Sequence, residues 1–198
     1  GRAWEGFDSL EHEVCFIPNS KMLEKTTNGD DYINLMVKLL EFTKKQGKKP
    51  FLLIHEGESD KLLAHKMAGQ VEFDLPILEP IDPLKIKWVI GQSKVVVSSR
   101  FHGLVSALSQ GVPVLATGWS HKYQCLLEDY NVEDALIDVV NGRDAAEQYL
   151  GLLLNDDQEY LSISDAIKRK GVKQKELVQL MWDQVFSIIN IAPVDTTV

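Results

Sequence analysis

An arginine and a histidine separated by one aromatic residue, Arg100-Phe101-His102, follow the β-branched run Val95-Val96-Val97 and two serines, Ser98 and Ser99. Such a run suits a strand buried on both faces of a parallel sheet, so the serines and the Arg-Phe-His triplet fall where that strand must end. Gly103 then opens a helix in which Leu104, Ala107 and Leu108 recur at helical spacing, and Gly111 closes it before Val112-Pro113-Val114-Leu115-Ala116 begins another strand. Backbone N–H groups at the start of a helix lack intrahelical partners and carry the positive end of its dipole. With a guanidinium and an imidazole at that same end, the chemistry this pattern supports is capture of an anion with proton transfer beside it. Arginine's planar fork grips a phosphate or carboxylate bidentately, and a histidine's reference pKa of ~6.5 lets it take up and return a proton near neutral pH.

The elements that must position these residues are legible on either side. From residue 13 to 138, short apolar strands alternate with amphipathic helices. That order implies an α/β fold, a Rossmann-like three-layer α/β/α parallel sheet with right-handed crossovers. Strands are expected at Val14-Cys15-Phe16-Ile17, Phe51-Leu52-Leu53-Ile54, Val95-Val96-Val97 and Val114-Leu115-Ala116, with short additions at Pro76-Ile77-Leu78 and Ala135-Leu136-Ile137. One helix follows Asn28-Gly29-Asp30 with the stripe Ile33, Met36, Val37, Leu40. Another is capped by Ser59 or Asp60 and carries Leu62, Leu63, Lys66 and Met67, and a third starts at Asp82-Pro83. After Asn141-Gly142 the pattern is helical only: a segment at 145–154, then a long helix from about 165 to 190 with Leu177, Leu180, Met181, Val185 and Ile188 on one face.

In an open parallel sheet, ligands bind beyond the carboxyl ends of the strands. The polar residues after each apolar run should therefore gather at one edge: Asn19, Ser20 and Lys21; His55 through Asp60; Ser98, Ser99, Arg100 and His102; and Thr117 through Lys122. Arg100, His102 and Lys122 thereby come within reach of one small anion, and His55 and His121 border it. Each has a plainer role open to it. Arg100 can be a surface ion pair, His102 a helix cap, and Glu58 and Asp60 can stabilise a helix start rather than orient a reactive group.

Arg100-Phe101-His102, the small-residue helix with Ala107, the Gly111-Val112-Pro113 stop, and Lys122 in a polar loop ahead of Leu126-Leu127 resemble the polysaccharide pyruvyl transferase family. The resemblance is strong over 94–130, weaker over 13–93 and absent beyond about 160. It implies the C-terminal, donor-binding half of a glycosyltransferase-B-like enzyme, whose N-terminal half is a separate domain. The implied activity is pyruvyl (ketal) transfer from phosphoenolpyruvate to a sugar of a cell-surface polysaccharide or its precursor, the acceptor being lipid-linked or polymeric. On this reading His102 is the catalytic acid and base, worth about 10²- to 10⁴-fold in rate. Arg100 and the N–H groups near Gly103 hold the phosphate, Lys122 holds the carboxylate, and Ser98, Ser99, His55 and His121 complete the substrate-binding set. Phosphoenolpyruvate is a substrate, so no cofactor and no metal is expected. The implied location is the cytoplasm or the inner face of the membrane, and the half alone is expected not to turn over.

With 198 residues and 44% hydrophobic content, the chain is long enough for one globular core and short for two. The reading assigns 1–12 to a leader or linker, 13–160 to the Rossmann-like domain, and 161–198 to a C-terminal helical extension and a tail expected to fray. A net charge of −8 speaks against a nucleic-acid partner, which requires clustered Lys and Arg to displace counterions. Lys44, Lys45, Lys48 and Lys49 fall at a helix end, where cations complement the dipole. Cys15 and Cys125 have neither disulfide nor metal-ligand spacing and read as buried thiols of a reducing compartment. No apolar run approaches the ~20 residues that cross a bilayer. Two other functions compete. In a nucleotide-sugar glycosyltransferase, the glutamate that holds the ribose would fall at Ser106, and Leu104 stands where a second glycine is usual. In a non-catalytic module, the long C-terminal helix would be the working surface.

Overall fold

The computed structural model describes residues 14–79 and 82–189, and the apolar runs within it pair as one parallel sheet. Its strands are β1 (Val14–Ile17), β2 (Pro50–Leu53), β3 (Ile77–Leu78), β4 (Val95–Ser98) and β5 (Val114–Ala116), in the spatial order β3-β2-β1-β4-β5. Cys15 lies opposite Phe51 on one side and Val96 on the other, and Ser98 lies opposite both Ile17 and Ala116. Around the sheet run α1 (Met22–Lys25), α2 (Gly29–Lys45), α3 (Gly57–Ala68), α4 (Pro83–Gln92), α5 (Phe101–Leu108), α6 (His121–Tyr130), α7 (Arg143–Asn155) and α8 (Asp157–Ile189). The expected leader at 1–12 and the tail at 192–198 lie outside the described residues.

Alternation along each strand divides the core in two, because successive side chains leave opposite faces of a sheet. Val14, Phe16, Leu52, Val95, Val97 and Leu115 pack under α2, α3 and α7. Cys15, Ile17, Phe51, Leu53, Val96, Val114 and Ala116 pack under α4, α5 and α6, joined by Ile167 of α8. This is the three-layer arrangement expected from the β-α-β order. The Asn28 side chain accepts the Asp30 N–H at the start of α2, and Asp82 accepts the Leu84 N–H ahead of Pro83, so both predicted caps form.

Three local expectations need correction. Helix α3 starts after Glu56, whose side chain makes no capping bond, and its buried stripe is Asp60, Leu63, Ala64 and Met67, while Leu62 and Lys66 face solvent. Ala135-Leu136-Ile137 forms no strand. Glu133–Ala135 is a 3₁₀ turn, and Leu136 makes a single parallel bridge to Ala116, the last residue of the short strand β5. Helix α8 begins at Asp157 rather than near 165, because the Asp156 carboxylate accepts the Gln158 and Glu159 N–H groups and starts the helix there. Residue 160, where the sequence reading ends its domain, therefore lies within a continuous helix. The first half of α8 docks through Ser164, Ile167 and Gly171, with the Ser164 hydroxyl donating to the Gly111 carbonyl at 2.8 Å. Beyond Gly171, no residue of the helix is buried, and Leu177, Leu180, Met181 and Ile188 are exposed.

Candidate functional site

Between β1 and β4 the strand order reverses, since the chain passes from β1 outward to β2 and β3 and then returns to β4 on the other side. Crevices form at such switch points beyond the carboxyl ends of the strands. Here the walls are the turns after β1 and β4. Asn19 donates its N–H to the Tyr32 hydroxyl at 3.1 Å and its Nδ2 to the Ser99 carbonyl at 2.9 Å. The Ser99 hydroxyl bonds both the Tyr32 hydroxyl, at 2.7 Å, and Thr117 Oγ1, at 2.6 Å, while Tyr123 donates to the Ser99 carbonyl at 3.0 Å. Ser99 is thus a buried hub tying together the ends of β1, β4 and β5. Ser98 is equally inward, its Oγ accepting the Arg100 N–H at 3.0 Å and donating to the Arg100 carbonyl at 3.1 Å. Both hydroxyls, expected to contact the donor, are buried and hydrogen-bonded within the protein, where they shape the turn.

Arg100 is the N-cap of α5, which begins at Phe101, two residues before the expected Gly103. The first intrahelical bond runs from the Leu104 N–H to the Arg100 carbonyl at 3.1 Å, which leaves the N–H groups of Phe101, His102 and Gly103 ahead of it. A Cβ on Gly103 would stand 2.9 Å from Ser98 Oγ and 3.0 Å from Ile17 Cδ1, so glycine allows the helix start to sit directly on the ends of β1 and β4.

The Arg100 guanidinium is tied to α3. Its Nε donates to Asp60 Oδ2 and its Nη2 to Asp60 Oδ1, both at 2.7 Å, and its Nη1 donates to Glu56. Asp60 also accepts the Ser20 N–H at 2.9 Å and is wholly buried. Burial works against the charge on Arg100, but the hydrogen bonds and negative charge of Asp60, with that of Glu56, outweigh it and raise the pKa. Asp60 therefore grips Arg100 rather than capping α3, and Arg100 stands in an ion pair, the plainer role open to it. The signal was its place in the stripe Asp60-Leu63-Ala64-Met67, because a carboxylate among buried apolar positions must find a cation.

His55, half-buried at the end of β2, has its pKa lowered by burial and by the positive charges of Arg100 and His102, which outweigh Glu56 and Asp60. His102 is exposed, its ring edge-on to Phe101 at 6.0 Å between centroids. Lys122 Nζ stands 4.8 Å from the Phe101 ring centre and 5.5 Å from that of Tyr123, so ammonium and imidazole both neighbour the Phe101 ring. His121 is occupied along its own helix, with Nε2 3.1 Å from the Cys125 sulfur. Cys125 is only partly buried, a correction, whereas Cys15 is fully buried and its thiol pKa is pushed up by that burial. At the start of α6, Ser120 Oγ is buried and has no hydrogen-bond partner. Among the described residues, no group of three or more His, Cys, Asp or Glu side chains could hold a metal ion.

A parallel sheet of this order with helices on both faces defines a Rossmann-like α/β/α domain. Residues 17–121, more than half of the chain, match the family described as polysaccharide pyruvyl transferase. The chain belongs to that family. No curated protein matches it. Among solved structures, it is similar to the UDP co-structure of S. aureus MnaA (15% identity, TM-score 0.64, 98% of this chain and 52% of that one). It is also similar to the UDP-GlcNAc 2-epimerase from Neisseria meningitidis bound to UDP-GlcNAc (13% identity, TM-score 0.57, 90% and 46%) and to the trehalose-6-phosphate synthase OtsA (10% identity, TM-score 0.60, 98% and 48%). At such identities the likeness is one of fold, and the chain spans about half the length of these structures. No helix among the described residues is long and apolar enough to cross a membrane.

Proposed function

We propose that the chain is the donor-binding half of a transferase that moves the pyruvyl unit of phosphoenolpyruvate onto a polysaccharide sugar or its precursor as a ketal. The observation that carries this reading is the Arg100-Phe101-His102 triplet at the start of α5, beside the switch point, with Lys122 Nζ 4.8 Å from the Phe101 ring centre, inside the family match. The donor offers a phosphate and a carboxylate on three carbons, which suits a guanidinium, an ammonium and three helix-start N–H groups. Protonation of the methylene carbon leaves an oxocarbenium-like centre at C2. One sugar hydroxyl adds there and gives up its proton, the C2–O bond to phosphate breaks, and a second hydroxyl closes the ketal. His102, exposed and adjacent, delivers the first proton and takes up a hydroxyl proton; His55, held toward its neutral form, is a second acceptor beside it. The acceptor sugar and the surface that binds it belong to the N-terminal half.

Calorimetry with phosphoenolpyruvate and with UDP-GlcNAc tests the donor. Binding of phosphoenolpyruvate, with His102→Ala abolishing transfer by the whole enzyme, supports the reading. Binding of UDP-GlcNAc alone would replace it with a nucleotide-sugar transferase, against which Ser106 stands where a ribose-binding carboxylate would be needed.

A further inference from the structure

The two carboxylates on Arg100 are not equivalent. Asp60 has no exposed surface, holds the Nε/Nη2 edge of the guanidinium with two bonds of 2.7 Å, and is itself pinned by the Ser20 N–H. Glu56 has a side chain that is 68% exposed, touches only Nη1, and stands at the N-cap of α3 without making a capping bond there. A planar guanidinium offers two bidentate edges, side-on and end-on. Asp60 fills the first, and Glu56 stands at the second, which faces the solvent side of the switch point.

We propose that Glu56 is a displaceable counter-ion: it occupies the end-on edge of Arg100 in the free protein and yields it to an oxyanion of the donor, while Asp60 keeps the guanidinium in place throughout. Displacing an exposed carboxylate costs little, because its ion pair is already screened and the released group is rehydrated. Displacing Asp60 would leave a buried charge without a partner, which is costly. Glu56 therefore tunes affinity and selects for donors whose anionic group is strong enough to evict it, and Asp60 is a positioning residue. The identity of the anion rests on the donor reading above.

The test is calorimetric titration of the protein and of Glu56→Gln with phosphoenolpyruvate and, separately, with inorganic phosphate, alongside a urea unfolding curve for each. Glu56→Gln is expected to bind phosphoenolpyruvate about fivefold more tightly, the ratio that loss of one partly screened ion pair represents, with its unfolding midpoint unchanged or slightly lowered by loss of that same pair. Equal or weaker binding by the variant, where the parent binds phosphoenolpyruvate, overturns the inference and leaves the donor reading intact. Tighter binding of phosphate by the variant while neither protein takes phosphoenolpyruvate upholds the displacement and removes the donor reading. Failure of both proteins to bind either anion overturns both.

Discussion

At the scale of single residues, the site is organised by a carboxylate rather than by the arginine and histidine that draw the eye. Asp60 fixes one edge of Arg100, and removing it leaves a guanidinium that is only 13% exposed without its bidentate partner. Asp60→Ala should therefore lower stability by about 3 kcal/mol, read from urea unfolding, as expected for half of a buried pair. His55 gives a pH signature. Its pKa lies below the ordinary histidine value of 6.5 because burial and two neighbouring cations disfavour the imidazolium. The unfolded chain then binds more protons than the folded one between the two values, so the contribution of neutral His55 to stability is complete above ~6.5 and is lost as pH falls through the folded-state pKa. An NMR titration should place the His55 midpoint below the reference, and Glu56→Gln should lower it further by removing an anion. A midpoint that rises in the variant would contradict this account of the local field.

At the scale of elements, the short helix α5 does most of the positioning. It begins at the end of β4 because Ser98 folds the turn onto the Arg100 backbone, and it lies tight against the sheet because Gly103 has no side chain. Ile17 and Ser98, which a Cβ there would strike, are both buried and cannot swing away. Gly103→Ala is predicted to cost about 1–3 kcal/mol by overpacking and to weaken anion binding by lifting Arg100 off Asp60. Circular dichroism melts and the same calorimetry would show both effects, and a variant as stable as the parent would mean that the helix start is not fixed by this contact. The element pattern itself was readable where a periodic apolar stripe met a cap, as at Asn28 and Asp82. It misled where the cap was judged from residue type alone: Ser59 and Asp60 look like N-caps, yet Asp60 points inward on α3. Aspartate serves equally as a cap and as a buried partner, and only the cation facing it decides.

At the scale of the whole molecule, two cores sandwich one sheet, and α8 departs from them. Its first half joins the core under α4, α5 and α6 through Ile167, while its second half buries nothing among the described residues. Ile167→Ala should therefore cost about 2–5 kcal/mol. Leu180→Gln, thirteen residues further along the same helix, should change stability by less than ~0.5 kcal/mol. Denaturant midpoints for the two variants make the comparison, and a large loss from Leu180→Gln would show that the outer half of the helix is held by the domain after all. The chain covers about half of the solved structures it resembles.

The sequence by itself determined the class of fold, the main strands and the edge where the polar loops gather. Those follow from periodicity and from strand ends, which are local properties of the chain. It also brought Arg100, His102 and Lys122 to one edge, because parallel strands put every β-to-α loop on the same side. Only the tertiary structure decided how the residues along that edge divide their work: Ser98 and Ser99 turn inward, His121 bonds Cys125, Asp60 holds Arg100, and Glu56 shares it. The pairs Asp60 with Arg100 and Tyr32 with Ser99 are 40 and 67 residues apart in sequence. A contact of that range is set by strand order and by what burial leaves unpaired, and neither is written in any short stretch of residues.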